Sequence, residues 1–382
     1  MNFMLQTRSR RFTLYALTIV AGIVISCIVL ALIGYSSNQK LPTGPEITDR
    51  MDPLDKIRLA EALHLKAELG DQIWPGYASM DAPVIIWNED YEFLFGVSEP
   101  PLDWELVPDD TFDGQPYFRR SADDPQNFAV RVGDQWAASI FTKYLVDFGL
   151  ISAIQGLLPP VIADVFPYRI FIQPSELQIS TVQHEYFHVV QAELAFEKFA
   201  AADDIYGLGE RYWPLDSEMQ SAWKNEIDLL IKAVQTSNEG DAKELTRQFL
   251  AARDQRREDI GLDATLIDYE RQFEWLEGTA KFAEMFSWQE ASQNHGYISL
   301  PEMATDPDFK DYETFDSRWD QEMAQTRRQA REEGDVRFYY TGMLQAFLLD
   351  RLLPDWKDRI MGRKTIMGYR GAVSPRSRMV NS

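Results

Sequence analysis

Twenty-three consecutive residues, Thr13–Tyr35, carry no charge. As a helix rising about 1.5 Å per residue the run reaches roughly 33 Å, close to the hydrocarbon thickness of a bilayer. Arg8, Arg10 and Arg11 precede it, and residues 1–35 contain no acid. That charge bias predicts a cytoplasmic N-terminus (1–12), a single-pass transmembrane anchor (13–35) and a body on the far side, periplasmic or extracellular. A cleaved signal peptide is the rival reading. Its apolar core usually runs about 7–15 residues and ends at a small-residue cleavage site. This run is longer, and Ala31–Gly34 makes a poor site, so an uncleaved anchor is expected. Cys27, the one cysteine, lies inside the run, behind the poor lipobox Val24-Ile25-Ser26. The body therefore has no cysteine with which to form an intrachain disulfide.

Beyond the anchor, Ser36–Glu46 is polar with Pro and Gly and reads as a linker. Asp52-Pro53 opens a helical pattern to Leu69 that contains His64, for which a structural role is expected. From Ala82 to about Ile140, β-branched and aromatic runs at 83–87, 91–95 and 128–132 alternate with Asn, Asp, Gly and Pro clusters. This is the pattern of strands. Residues 141–165 look helical with a break at Pro159-Pro160, and Tyr168–Ile172 is one more strand candidate. After Ser175 the chain reads as helix at 177–198, 217–236, 241–258, 266–289, 318–333 and 337–352. Strands first and helices later predict an α+β fold, with a strand-rich region over 47–165 and a mainly helical region over 166–358. A basic tail, 359–382, adds six positive charges without an acid. The whole chain nonetheless carries a formal charge of -22. Nucleic acid is thereby excluded as an expected partner, since phosphate backbones are bound by Lys and Arg.

His184-Glu185-Tyr186-Phe187-His188 is an HExxH motif. Residues i and i+4 share a helix face, so both imidazoles can reach one ion, with Glu185 beside them to take a proton from metal-activated water. Ile179, Val182, Tyr186, Val189, Val190 and Leu194 form an apolar stripe with no Gly or Pro between Gln178 and Lys198, which supports the helix. A catalytic zinc site needs a third protein ligand. The extended pattern HExxHxxGxxH fails, because Gln191 and Leu194 occupy its Gly and last His positions. The third ligand must come from a separate segment, and 273–284 is the best donor.

There the chain resembles the gluzincin class of HExxH peptidases, whose second helix carries a motif of the form W-L-x-E-G-x-A. Trp275, Leu276, Glu277, Gly278 and Ala280 fall on it, although this chain lacks the spacer or Asn before Glu277. The resemblance implies a zincin-like region with Zn2+ held by His184, His188 and Glu277. Gly278 and Ala280 would let that helix approach the HExxH helix closely. Glu274 and Glu284 share the face of Glu277 and are the substitute ligands, or the groups that orient a histidine. Phe338–Leu349 is similar to the Y-x-x-G helix of the aminopeptidase-like branch, which implies Tyr339 as donor to the developing oxyanion, with Tyr340 as the alternative. Glu277 lies 89 residues beyond His188. That gap is wider than usual in that branch, and a helical insertion over 199–265, a lid or substrate wall, would account for it. Tyr168–Ile172 would be an edge strand along which an extended peptide binds. His295, in an expected loop, is a substitute ligand or donor. The implied activity is hydrolysis of a peptide or protein substrate by metal-activated water. The alternative is a zinc-binding but non-proteolytic envelope binding or assembly protein.

Overall fold

The computed structural model describes residues 21–42, 44–203, 206–212 and 217–362. The N-terminal residues 1–12, the first part of the anchor (13–20) and the basic tail beyond 362 lie outside the described residues. The fold is α+β, with one mixed sheet and a larger number of helices. The chain divides into two compact units: one of residues up to Lys66 with Asp81–Val182 and Ala291–Glu313, the other of Ala67–Met80, Gln183–Glu290 and Thr314 onward.

The first unit begins with α1 (Ala21–Asn38), a helix long and apolar enough to cross a membrane, with nearly all of its surface exposed. Helix α2 (Pro53–Ile73) starts where the sequence places it. Asp52 caps it by accepting from the Leu54 N–H at 2.8 Å, and Pro53 occupies the first turn, where its missing donor costs nothing. The sheet contains β1 (Val84–Trp87), β2 (Tyr91–Phe95), β3 (Glu105–Leu106), β4 (Phe118–Ser121), β5 (Phe128–Val132) and β6 (Gln135–Phe141). Its order is β3-β4-β2-β1-β6-β5, antiparallel throughout except for the β1–β6 pair. Val84, Ile85 and Ile86 are all buried, so β1 is covered on both faces and its sequence is continuously apolar. Ile85, Leu94, Trp104, Phe118, Val132 and Ala137 form the core of one face.

Helices α3 (Lys143–Leu157) and α4 (Pro160–Ala163) follow, separated at Pro159-Pro160 as expected. Tyr168–Phe171 is a 3-10 turn, so the expected edge strand at 168–172 is corrected. Two of its aromatic residues serve local packing: Tyr168 is buried, and Phe171 stacks on Phe166. Helix α5 (Ser175–Leu194) begins in this unit. The loop 294–313 is fastened to α2 and α5 by buried acids. Glu61 accepts from Tyr297, Tyr312 and the Leu300 N–H, and Glu176 accepts from the Lys310 and Tyr312 N–H groups. These bonds hold Tyr312 at a φ of 61°, a left-handed conformation that costs a tyrosine energy.

The second unit is helical. It holds the rest of α5, then α6 (Phe196–Asp203), α7 (Gly209–Tyr212), α8 (Ser217–Gln235) and α9 (Glu239–Asp259). Helices α10 (Ala264–Gln293, to Glu290 in this unit), α11 (Phe315–Arg328), α12 (Val336–Leu352) and α13 (Trp356–Ile360) complete it. The single helix expected over 177–198 is two, divided at Ala195, and that expected over 318–333 runs earlier, ending at Arg328. α10 is central: every residue from Phe273 to Met285 is buried. Residues 199–265, expected as an insertion, are chiefly the α8–α9 hairpin, and buried ions lock it down. Arg253 of α9 binds Glu226 of α8 at 2.7 Å and Glu274 of α10 at 2.6 Å, while Arg256 binds Glu226 and Glu270 at 2.7 Å.

Candidate metal centre

α5 presents its motif from a fixed position. Tyr77 donates to the Gln183 side chain at 2.8 Å, Tyr186 donates to the Met80 carbonyl at 2.9 Å, and Phe187 packs edge-on against Trp74. The apolar stripe read from the sequence is the buried one: Tyr186, Val189 and Val190 are each nearly inaccessible. His184 and His188 therefore emerge on one face, i and i+4, and both are buried.

Facing them is a stripe of charge along α10. Glu270, Glu274, Glu277, Lys281 and Glu284 follow one another at spacings of three or four, all buried. Each has a different task. Glu277 turns one carboxylate oxygen toward both imidazoles, 3.4 Å from His184 Nε2 and 3.4 Å from His188 Nε2. The three donor atoms lie within 4.8 Å of one another. A tetrahedron with bonds of about 2.1 Å has edges of about 3.4 Å, the length of the two edges that Glu277 makes, so this donor set could hold a metal ion of that size.

A hydrogen bond on the far side of each imidazole fixes the orientation of the ring. His188 Nδ1 lies 2.7 Å from Gln191 Oε1. The amide orientation follows from the other end, where Gln191 Nε2 donates to the Trp275 and Leu276 carbonyls and to Thr279 Oγ1. The Thr279 hydroxyl proton goes to the Trp275 carbonyl at 2.7 Å, leaving its oxygen to accept. Oε1 is thus an acceptor, His188 carries its proton on Nδ1, and Nε2 is left as a ligand. For His184 the partner is Glu284, 3.2 Å from Nδ1. Glu284 is in turn 3.2 Å from Lys281, which lies 3.4 Å from Glu322, and Glu322 pairs with Arg318.

Without an ion this cluster balances its own charge. Burial opposes a charged His184, but hydrogen bonds to Glu277 and Glu284 outweigh it and hold the imidazolium up to about 10. Burial likewise opposes ionisation of Glu277, yet its contacts with His188 and His184 keep its carboxyl well below the usual range. Glu185 behaves differently. Burial pushes its carboxyl up to about 7, against the pull of His184 and His188. Its buried Oε2 has no hydrogen-bond partner among the described residues.

Tyr339 of α12 stacks on His184, ring centroids 6.0 Å apart and planes 15° from parallel. Burial, then the charge of Glu277 and a hydrogen bond to it, raise its hydroxyl far above the ordinary tyrosine value. Tyr340 turns away, its ring 5.5 Å from the Lys281 ammonium. Tyr339 reaches the site because α10 and α12 touch backbone to backbone. A Cβ at Gly278 would lie 2.7 Å from the Gly342 carbonyl carbon, and one at Gly342 would lie 2.9 Å from Glu274 Cα. Gly278 thus opens the approach to α12 and not, as expected, to the HExxH helix.

Two substitute ligands are placed elsewhere. Glu274 is held by Arg253 and accepts from Thr341 at 2.7 Å, so it serves the α9–α10–α12 junction. His295 sits in an exposed turn and is not part of the donor group. His64 has the structural role expected, with Nε2 3.0 Å from the Ile298 carbonyl. Gln191 is the residue that sequence reasoning passed over. Its signal was there in outline, a polar side chain on the same helix face three residues after His188. No family model matches the chain, nor does any curated protein or solved structure.

Proposed function

We propose that this chain is a membrane-anchored zinc peptidase, of zincin-like fold, that hydrolyses peptide bonds in a peptide or protein substrate. One observation carries the reading. Three buried donor atoms lie within 4.8 Å of one another, Glu277 stands 3.4 Å from each imidazole Nε2, and both imidazoles have Nδ1 engaged so that Nε2 faces the shared carboxylate. A zinc ion held by His184, His188 and Glu277 would supply a Lewis acid that polarises the scissile carbonyl and makes water a nucleophile near neutral pH.

The chain's own residues supply the rest. Glu185, raised by burial to about 7 and with a free buried oxygen, takes the proton of the attacking water and delivers it to the leaving amine. Tyr339, kept protonated by burial and by Glu277, donates its O–H to the carbonyl oxygen as that atom gains charge. α1 is read as the single uncleaved span, with Arg8, Arg10 and Arg11 in the cytoplasm and the catalytic body outside.

The test is zinc content together with peptide-library cleavage on three proteins. Wild type is expected to hold about one zinc per chain and to cleave. Glu185→Gln should retain zinc and lose turnover, and His184→Ala should lose both. A wild-type metal content near zero would remove the proposal. Stoichiometric zinc with every peptide left intact would favour the non-proteolytic binding protein instead.

A further inference from the structure

Beyond the metal centre, the least expected surface lies in the first unit. From Phe148 to Ile172 the only charged residues are Asp164 and Arg169, and Phe148–Ala163 contains no charge at all, in a chain that is 26% charged. A fold buries such a stretch when it can. Here it remains exposed: Leu157 is 84% accessible, Ile170 70%, Phe148 53% and Ile162 47%. Soluble surfaces rarely gather exposed apolar side chains along one continuous, nearly uncharged segment.

This segment is tied to α1. Gly34 is buried, and a Cβ there would collide with the Val165 carbonyl. Four residues on, the Asn38 side chain donates to the Phe166 carbonyl at 2.8 Å and the Asp164 carbonyl at 3.3 Å, and accepts from the Tyr168 N–H at 3.2 Å. Gly34 belongs to the apolar run that ends at Tyr35, so the 164–168 segment meets α1 at the last apolar turn. For a spanning helix, that turn lies at the boundary between hydrocarbon and headgroups. Just beyond it, Arg169 donates to the Lys40 carbonyl at 3.1 Å, and both basic side chains are exposed. Exposed apolar groups beside α1, with Lys40, Arg169 and the acid Asp164 exposed where the helix ends, form the pattern of a surface seated in an interface.

We propose that α3, α4 and the 3-10 turn at Tyr168–Phe171 form a lipid-inserting surface that seats the body on the same bilayer that α1 crosses. This rests on the reading of α1 as a membrane span. The consequence is orientation: a single span alone would let the body swivel, whereas a second apolar contact a few residues from its exit holds the body against the membrane.

The test uses the full chain with Cys27→Ala, reconstituted in vesicles of zwitterionic and anionic phosphatidyl lipids. Single cysteines replace Leu157, Ile162, Ile170, Leu32 of α1 or the exposed Ile298, each carrying an environment-sensitive fluorophore, with lipid-borne nitroxide as quencher. Quenching at 157, 162 and 170 is expected to fall within about twofold of that at Leu32 and to exceed that at Ile298 at least fivefold. Strong quenching at Leu32 with 157, 162 and 170 at the Ile298 level overturns the surface and leaves the anchor standing. Blue-shifted emission without quenching at those positions also overturns it, because protein, such as a second copy, then covers the face. No quenching at Leu32 removes the span itself.

Discussion

Gln191 has one acceptor and it is committed to His188, because its two amide protons are claimed by carbonyls and a hydroxyl on α10. Gln191→Leu should therefore release that imidazole's orientation and weaken zinc binding by about 10–100-fold, read by competition with a chelating dye, while circular dichroism stays unchanged. Tyr339→Phe keeps the ring against His184 and removes only the donor. Its expected effect is a fall in kcat of about 100-fold, about 3 kcal/mol, with zinc content and KM retained. A variant with wild-type kcat would leave Tyr339 with packing alone. His184, Glu185 and His188 were legible from local spacing, since i and i+4 meet on any helix. Gln191 was not, because its role depends on carbonyls 84 and 85 residues away. Glu274, Glu277 and Glu284 shared a face in the sequence, and only their partners across the packing separated a junction acid, a candidate ligand and a histidine's support.

The crossing of α10 and α12 at Gly278 and Gly342 makes a sharp prediction for helix packing. Gly342→Ala gains intrinsic helix propensity but drives a methyl into the backbone of α10, so stability should fall by about 1–3 kcal/mol. A lower Tm and a loss of activity are expected together, because the same contact carries Tyr339. An unchanged or higher Tm would mean that the helices part at little cost. The α8–α9 hairpin is held differently, through ions. Arg253→Met strips buried Glu274 of its ionic partner, leaves Glu226 with Arg256 alone, and should cost about 3–5 kcal/mol in urea unfolding. Strands β1, β2 and β5 were readable because their residues are apolar, aromatic or β-branched. β4, with the sequence FRRS, was hidden, because only its neighbours in the sheet make it a strand. The same reasoning misled at Tyr168–Phe171, where strand-forming residues found no strand to pair with.

For the molecule as a whole, buried charge should set the acid limit of stability. Burial opposes ionisation of Glu270, but Arg256, ahead of Arg253 and Arg257, holds its carboxyl down to about 2. A carboxylate depressed in the folded state contributes stability that is full above its unfolded value, near 4.5, and is lost as pH falls through about 2. The shift corresponds to roughly 3 kcal/mol. Wild type should thus show a steeper fall in urea midpoint between pH 5 and pH 2 than Glu270→Gln, and equal slopes would dismiss the effect. Chelation should leave the helices folded, since His184 as imidazolium and Lys281 already neutralise Glu277 and Glu284, and restored zinc should raise Tm with the logarithm of its free concentration over Kd. The amino-acid order alone settled what depends on near neighbours: the apolar helix, the helix-borne histidine pair, the α+β order of elements and the acids eligible to join that pair. Three-dimensional packing chose among those acids, set Tyr339 against His184 and Tyr340 against Lys281, and enlisted Gln191. Those choices rest on contacts between residues far apart in the chain, whose free energies exist only once the helices have met.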